Sequence, residues 1–445
     1  MADPRPSYAT WKQYIKRLED KEDKYERRYP HECKKPPPPL HYPHHLAGVC
    51  EHFHDILLDS PRLWTTIVVF LDFELIETIS DLKMSLRFSQ DFPLDVSVDH
   101  WLKSIRDRGF CDDENIASRA VIKILRLHFH RCRTIEYSAV LGTSLPSPSR
   151  DLSALSSTLE SLILKCKFDD EHPNGILFGE DPAPILDLAS SPLMNLEDLY
   201  LSGYTVMDAC RNAPQLVQAA QATLILRDYQ ATRSGEPAKQ IVPHLLKALT
   251  HAPPRHIFWS RDVVLYDIDV SHWQAGMLYK PFCMQGVATL TLTGLEGGTM
   301  SNLLDYVDFS DASLLTVTRC HIPEGVRRFG YGEQLHLDDL RGWPDLVDLL
   351  EEWNGLHLSI MRHAGPLDLI LRLLAKRRKA GKCSMNELLL DDCTNFSVRA
   401  MKRLCKSRRP TDMDNVAVCG IGPVISTEER CWFESVDVMD GTHDG

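Results

Sequence analysis

No apolar run in this 445-residue chain is long enough to cross a membrane. The longest, residues 67–71, falls far short of the roughly 20 residues that a spanning helix needs. The N-terminal residues, MADPRP, have none of the apolar core of a secretory signal. Together these absences predict a protein of the cytoplasm or nucleus. Cysteine pairs are missing as well: the 13 cysteines, an odd number, are scattered without one CxxC. That excludes a disulfide framework and leaves reduced thiols, most of them acting as small buried apolar groups. Positive charge is in deficit, with 50 Lys and Arg against 62 Asp and Glu and a net charge of -12. This balance excludes broad binding to nucleic acid or acidic membranes. Catalytic signatures are lacking too, with no GxSxG, P-loop, GxGxxG opening a helix, or HExxH. The chain is therefore expected to carry no catalytic residues, no cofactor and no metal, and not to be an enzyme.

Three near misses sharpen that expectation. The span holding His31, Cys33, His41, His44, His45, Cys50, His52 and His54 has the residue types of a zinc site but not the paired spacing. Gly294, Gly297 and Gly298 lie close together without the lysine of a phosphate cradle. His128, His130 and Cys132 alternate as they would on a strand, yet no acid or nucleophile partner can be named for them.

What is present is a soluble, globular composition, 43% hydrophobic and 25% charged, in five segments. Residues 1–45 read as a charged helix followed by a linker rich in proline and histidine, partly disordered. Residues 46–70 hold a short amphipathic helix and a turn. Residues 71–120 connect onward through a helix carrying Leu75, Ile76, Ile79, Leu82 and Leu86 and a strand alternating from Leu94. Residues 121–425 form a repeat domain, and 426–445 an acidic tail. Loops rich in Asp, Pro and Gly interrupt the repeats around 169–184 and 233–237. The basic clusters 376–379, 402–403 and 408–409 fit either a nuclear import signal or the cations that favour helix C-termini.

A short apolar pattern recurs through residues 121–425. Its fullest copies are Ile122-x2-Leu125-x-Leu127, Leu159-x2-Leu162-x-Leu164, Leu196-x2-Leu199-x-Leu201 and Val287-x2-Leu290-x-Leu292. Shorter copies are Leu224-x-Leu226, Ile257-x-Trp259, Leu315-x-Val317, Leu335-x-Leu337, Leu356-x-Leu358 and Leu388-x-Leu390. Cys320 and Cys393 stand three residues after the last apolar position of their copies, and Cys166 one residue closer. Each LxL is expected to be a strand with its leucines turned inward, and each intervening stretch to return outside through a helix or loop. One such repeat cannot bury its apolar face, but stacked neighbours can. The expected fold is an α/β leucine-rich-repeat solenoid of irregular repeats, with parallel strands on a concave face and helices or loops outside. Residues flanking the leucines then face the concave surface, among them Arg126, His128, Lys165, Tyr200, Arg227, Phe258, His336 and His357. Such a mixed aromatic and charged stripe suits recognition of a target protein.

Residues 46–67 read LAGVCEHFHDILLDSPRLWTTI, with Leu46, Val49, Cys50, Phe53 and Leu57 at helical spacing before Pro61 stops the helix. The wording VCEHFHDILLDSPRLWTTI resembles the second half of an F-box. Its form is the one common among F-box-like leucine-rich-repeat proteins of mushroom-forming fungi, where a VC-x-x-W/F helix runs into a PRLW turn. The PLDVSVD that begins at Pro93 is similar to the family segment leading into the repeats. The LP-x-E-I/L helix that opens an F-box has no counterpart upstream, where Tyr29 to Lys35 and the prolines 36–39 stand, so the F-box is incomplete. The resemblance implies a small helical segment that docks on the Skp adaptor of a cullin-RING ubiquitin ligase. Its contacts would be Leu46, Val49, Cys50, Phe53, Leu57, Pro61, Leu63 and Trp64, with the repeats holding the target so that ubiquitin transfer follows from proximity. A leucine-rich-repeat scaffold that has lost adaptor binding is the alternative.

Overall fold

The computed structural model describes residues 49–71, 75–100, 111–152, 154–168, 193–229, 245, 261–269, 282–283, 287–308, 312–323, 332–342, 346–407, 415–434 and 439–441. The expectations for 1–45, Leu46, Phe258, Ile257-x-Trp259 and the two long loops lie outside them. The described residues fall into two compact units, one running to Phe168 and taking in 193–196, the other running from Glu197 onward. No helix among them is long and apolar enough to cross a membrane.

The first unit contains α1 (Glu51–Leu58), a 3-10 turn (Pro61–Trp64), β1 (Thr66–Phe70), α2 (Leu75–Phe88), β2 (Leu94–Asp99), α3 (Cys111–Leu125), β3 (Cys132–Leu141) and β4 (Ser161–Phe168). The strands pair in parallel in chain order. Register puts Ile67, Val96, Ile135 and Leu162 in one row and Val69, Val98, Tyr137 and Leu164 in the next, all of them buried. Alternation along each strand sends these residues to one side of the sheet. There Leu82, Leu86, Val121, Ile122 and Leu125 from α2 and α3 are also buried.

Two expectations are corrected here. The ladder begins at Thr66, well before residue 121. Ile122-x2-Leu125-x-Leu127 is not a strand: Ile122 and Leu125 close the last turn of α3, and Leu127 is 72% exposed. An LxxL spacing serves a helix and a repeat equally well. The strand comes later, and its inward pair is Ile135 and Tyr137. For the same reason His128, His130 and Cys132 do not share a strand face, because Phe129–Arg131 is a 3-10 turn and Cys132 begins β3.

The second unit carries β5 (Asp198–Ser202), α4 (Tyr204–Asn212), α5 (Pro214–Ala219), β6 (Thr223–Arg227), β7 (Arg261–Tyr266), β8 (Phe282–Cys283), β9 (Val287–Thr293) and α6 (Gly297–Tyr306). It continues with β10 (Val307–Asp308), β11 (Leu314–Thr318), β12 (Gln334–Asp338), α7 (Leu346–Leu350), β13 (His357–Met361), α8 (Asp368–Lys379), β14 (Glu387–Asp391), α9 (Val398–Cys405), β15 (Asn415–Cys419), α10 (Thr427–Glu434) and β16 (Met439–Gly441). Strands β8 and β10 form a separate parallel pair, and the others form one parallel ladder in chain order. Its inward rows are Leu199, Leu224, Val263, Leu290, Leu315, Leu335, Leu358, Leu388 and Val416, and two residues on, Leu201, Leu226, Leu265, Leu292, Val317, Leu337, Ile360, Leu390 and Val418. The strand after β6 carries its inward pair at Val263-x-Leu265, and Leu356-x-Leu358 is displaced by two residues to Leu358-x-Ile360. Cys320 and Cys393 are buried as expected, each Sγ lying 3.4 Å from a backbone carbonyl of the preceding strand's repeat, Leu292 and Ile360. Cys166 is part of strand β4 and only half-buried.

One column of residues fixes how consecutive repeats meet. Directly after each strand of the ladder from β5 to β15 the backbone turns left-handed, at Gly203, Asp228, Asp267, Gly294, Arg319, Asp339, Arg362, Asp392 and Gly420, with φ between 47° and 69°. The amide of each, up to Asp392, donates to the last carbonyl of the next strand, as from Asp267 to Thr293 at 2.9 Å and from Asp339 to Met361 at 3.0 Å. Glycine adopts this conformation freely and Asp tolerates it, whereas other residues lose roughly 1–2 kcal/mol. At Gly294 a methyl group would also collide with Asp267 Oδ1. Gly294→Ala is therefore expected to destabilise the chain by about 1–3 kcal/mol. Urea titration of the two proteins measures this directly, and an unchanged midpoint would mean that the turn yields freely.

Candidate functional site

Two surfaces stand out. The first surrounds α1. Cys50 precedes the helix in extended conformation, and Asp59 and Ser60 close it, with Ser60 Oγ donating to Ile56 O at 2.7 Å. Pro61 then starts the 3-10 turn and delivers Trp64 to the interior. Trp64 is 1% exposed; its indole N–H donates to Leu57 O at 2.8 Å, and its ring stacks at a tilt on Phe88, centroids 4.9 Å apart. His54, Leu57 and Leu58 are buried with it.

This arrangement splits the residues expected to contact an adaptor. Leu57 and Trp64 belong to the core, because the turn after Pro61 folds the indole back onto the helix, so they are corrected from surface contacts to supports. Cys50 and Pro61 are half-buried. Val49, Phe53 and Leu63 remain on the surface at 63%, 44% and 39% exposure, and Ile56 joins them at 44%. Ile56 was missed because it lies off the face shared by Phe53 and Leu57. The helical phase that pairs it with Phe53 was the available signal.

The second surface is the side of the ladder opposite the packed leucines. In the first unit Lys165 lies on β4, its Nζ 3.0 Å from Glu136 Oε1 on β3. Arg126 and His128 do not reach this surface. They stand on the turn after α3, where His128 Nδ1 lies 3.4 Å from Arg131 Nη2, and burial followed by the charge of Arg131 pushes the imidazole pKa down. In the second unit Tyr200, Arg227, His336 and His357 do occupy it, each beside an inward leucine.

Side chains on this face connect neighbouring strands. Arg227 Nη1 donates to Tyr200 Oη at 2.9 Å, its Nε pairs with the carboxylate of Asp228, and its guanidinium lies over the Tyr266 ring at 4.7 Å. Arg319 reaches the same ring from the other neighbouring side of the ladder, 6.0 Å from its centroid, and donates from Nη2 to Tyr266 Oη at 3.3 Å. Farther along, His357 Nδ1 lies 2.7 Å from Glu387 Oε2, and burial lowers the pKa of His336, aided by His357 and opposed by Glu387. Arg362 grips Asp338 through two nitrogens, Nε to Oδ1 at 2.8 Å. Tyr266 and Arg319 were absent from the residues expected here. Once β7 is read as Val263-x-Leu265, the residue after Leu265 falls on this face.

The basic cluster 376–379 is built into the fold. Arg377 donates to Leu350 O at 2.8 Å, to Trp353 O and to Lys382 O at 2.9 Å, and Arg378 is buried. Arg377 thus serves helix ends, including that of α7, while Lys376 and Lys379 stay exposed. Compared with known proteins, the chain matches no family model and no curated sequence, so what it does rests on the geometry of these two surfaces.

Proposed function

We propose that this chain is a non-catalytic interaction protein, an F-box-like leucine-rich-repeat receptor of a cullin-RING ubiquitin ligase. In this reading Val49, Phe53, Ile56 and Leu63 dock on the Skp adaptor, and the open face of the ladder holds a target protein. Ubiquitin transfer then follows from proximity, and its chemistry belongs to other subunits. The observation that carries the reading is the exposure of these four apolar residues on one short, well-anchored stretch. A helix that has already buried His54, Leu57 and Leu58 gains nothing within its own fold from Phe53 and Ile56 on the surface, whereas a partner would cover them. The parallel ladder supports the repeat half, since stacking LxL strands at irregular spacing is what leucine-rich repeats do. The incomplete F-box in the sequence favours the second reading, a repeat scaffold without adaptor.

A pull-down of purified full-length protein against the Skp adaptor separates the two. Phe53→Asp puts a charge into the proposed contact at a position already open to water, so folding is expected to stay intact while adaptor capture falls at least about tenfold. Capture unaffected by Phe53→Asp, or no capture by the intact chain, would leave only the scaffold reading.

A further inference from the structure

Arg319 is the anomaly in the left-handed column. The other positions hold glycine or aspartate, except for Arg362, whose guanidinium has an internal reason to be there in Asp338. Arg319 has none. Among the described residues it forms no ion pair, its side chain is exposed, and its one side-chain hydrogen bond goes to Tyr266 Oη. The acidic group that feels its charge is Asp267, whose carboxyl is pushed up by burial and by Asp228 and drawn down by Arg319. A guanidinium has five N–H donors. Most of those on Arg319 are therefore left to solvent beside the Tyr266 ring, 6.0 Å from its centroid.

The surroundings are also suited to a ligand. Arg227 stacks on the same ring and bonds Tyr200. Ile225 and Val264, in register with Tyr200 on the next two strands, are half-exposed on this face. The result is an aromatic and apolar floor with one uncommitted guanidinium at its rim. We propose that Arg319, above Tyr266, Arg227 and Tyr200, anchors a carboxylate carried by an extended acidic segment of the target protein, with an apolar neighbour of that carboxylate lying over Ile225 and Val264. A carboxylate fits better than a phosphate. Arg227 is already neutralised by Asp228, so a single cation is on offer, and Asp228 and Asp267 would repel a doubly charged group. The inference rests on the open face being a target surface and does not depend on adaptor docking.

Retention of immobilised extended peptides by the full-length protein tests it, using three sets: Asp and Glu interspersed with Leu and Val, the same with phosphoserine for the acids, and the same with lysine. The intact chain is expected to retain the first set, and Arg319→Gln to weaken retention about tenfold, the loss of one charge-assisted pair. Arg319→Gly is expected to weaken it equally while the thermal midpoint holds or rises, because glycine suits the left-handed backbone. Equal retention by the variants, preference for phosphoserine or lysine, or no retention by the intact chain would each overturn the proposal. Adaptor capture is read separately. Captured adaptor without peptide retention sinks only this proposal, and retention without captured adaptor sinks only the ligase reading.

Discussion

Trp64→Ala is expected to destabilise the chain by about 3–5 kcal/mol, the cost of deleting a fully buried indole. Its ring joins three elements, packing on Phe88 at the end of α2 and bonding Leu57 O at the end of α1 from its own 3-10 turn. Removing it leaves a cavity and takes one of two donors from Leu57 O, which keeps the Ser60 amide at 3.1 Å. Chemical denaturation of the full-length protein measures the loss, and a shift below about 1 kcal/mol would mean that the pocket collapses around alanine.

The same substitution clarifies what an adaptor experiment can mean. A Trp64 variant that fails to capture the Skp adaptor would show only that α1 has lost its support, because the indole does not reach the surface. Phe53→Asp addresses the contact itself. The two variants are expected to part company: Trp64→Ala loses stability first and capture with it, whereas Phe53→Asp loses capture alone.

Trp64 also marks where the sequence was legible and where it was not. PRLW identified a turn, but helical phase alone could not tell which apolar residues of a short helix face inward, so Leu57 and Phe53 were placed together. In the ladder, strands built on leucine were readable from LxL, as at Leu162, Leu199, Leu290 and Leu388. Strands in which Val, Ile or Tyr take the inward places were passed over, as at Ile135 and Tyr137 and at Val416 and Val418, although the alternation from Leu94 did mark the strand of Val96 and Val98. Physically the substitution is neutral, because β-branched and aromatic residues suit a pleated surface. A stricter signal was available. In the second unit the pattern is apolar-x-apolar-x followed by Gly, Asp or Arg, the last forced by the left-handed turn. It picks out Val263-x-Leu265-x-Asp267 and Leu358-x-Ile360-x-Arg362 without requiring leucine. Arg319 and Tyr266 could be located only once that register was fixed.

Arg131→Met is expected to cost on the order of 3 kcal/mol, because the guanidinium meets several acceptors at once. It is buried, and it donates from Nη1 to Gln90 O and to Phe92 O at 3.1 Å, and from Nη2 to Leu86 O at 3.0 Å and Ser89 Oγ at 3.1 Å. These acceptors lie at and just beyond the C-terminus of α2, where carbonyls have no partner within the helix. Methionine fills the space but donates nothing, so Leu86 O would keep only the Ser89 hydroxyl and the carbonyls of Gln90 and Phe92 would lose the guanidinium. Arg131→Lys keeps the charge while losing the planar fork, and it is expected to recover about half of the loss. Arg261 and Arg377 repeat the device, reaching Val217 O at 3.3 Å and Leu350 O at 2.8 Å near the ends of α5 and α7. One repeat thus completes the helix end of the repeat before it, through a long side chain that can follow the irregular spacing. If Arg131→Met shifts the denaturation midpoint no more than Arg131→Lys does, charge near the helix end is the whole effect and the satisfied carbonyls contribute little.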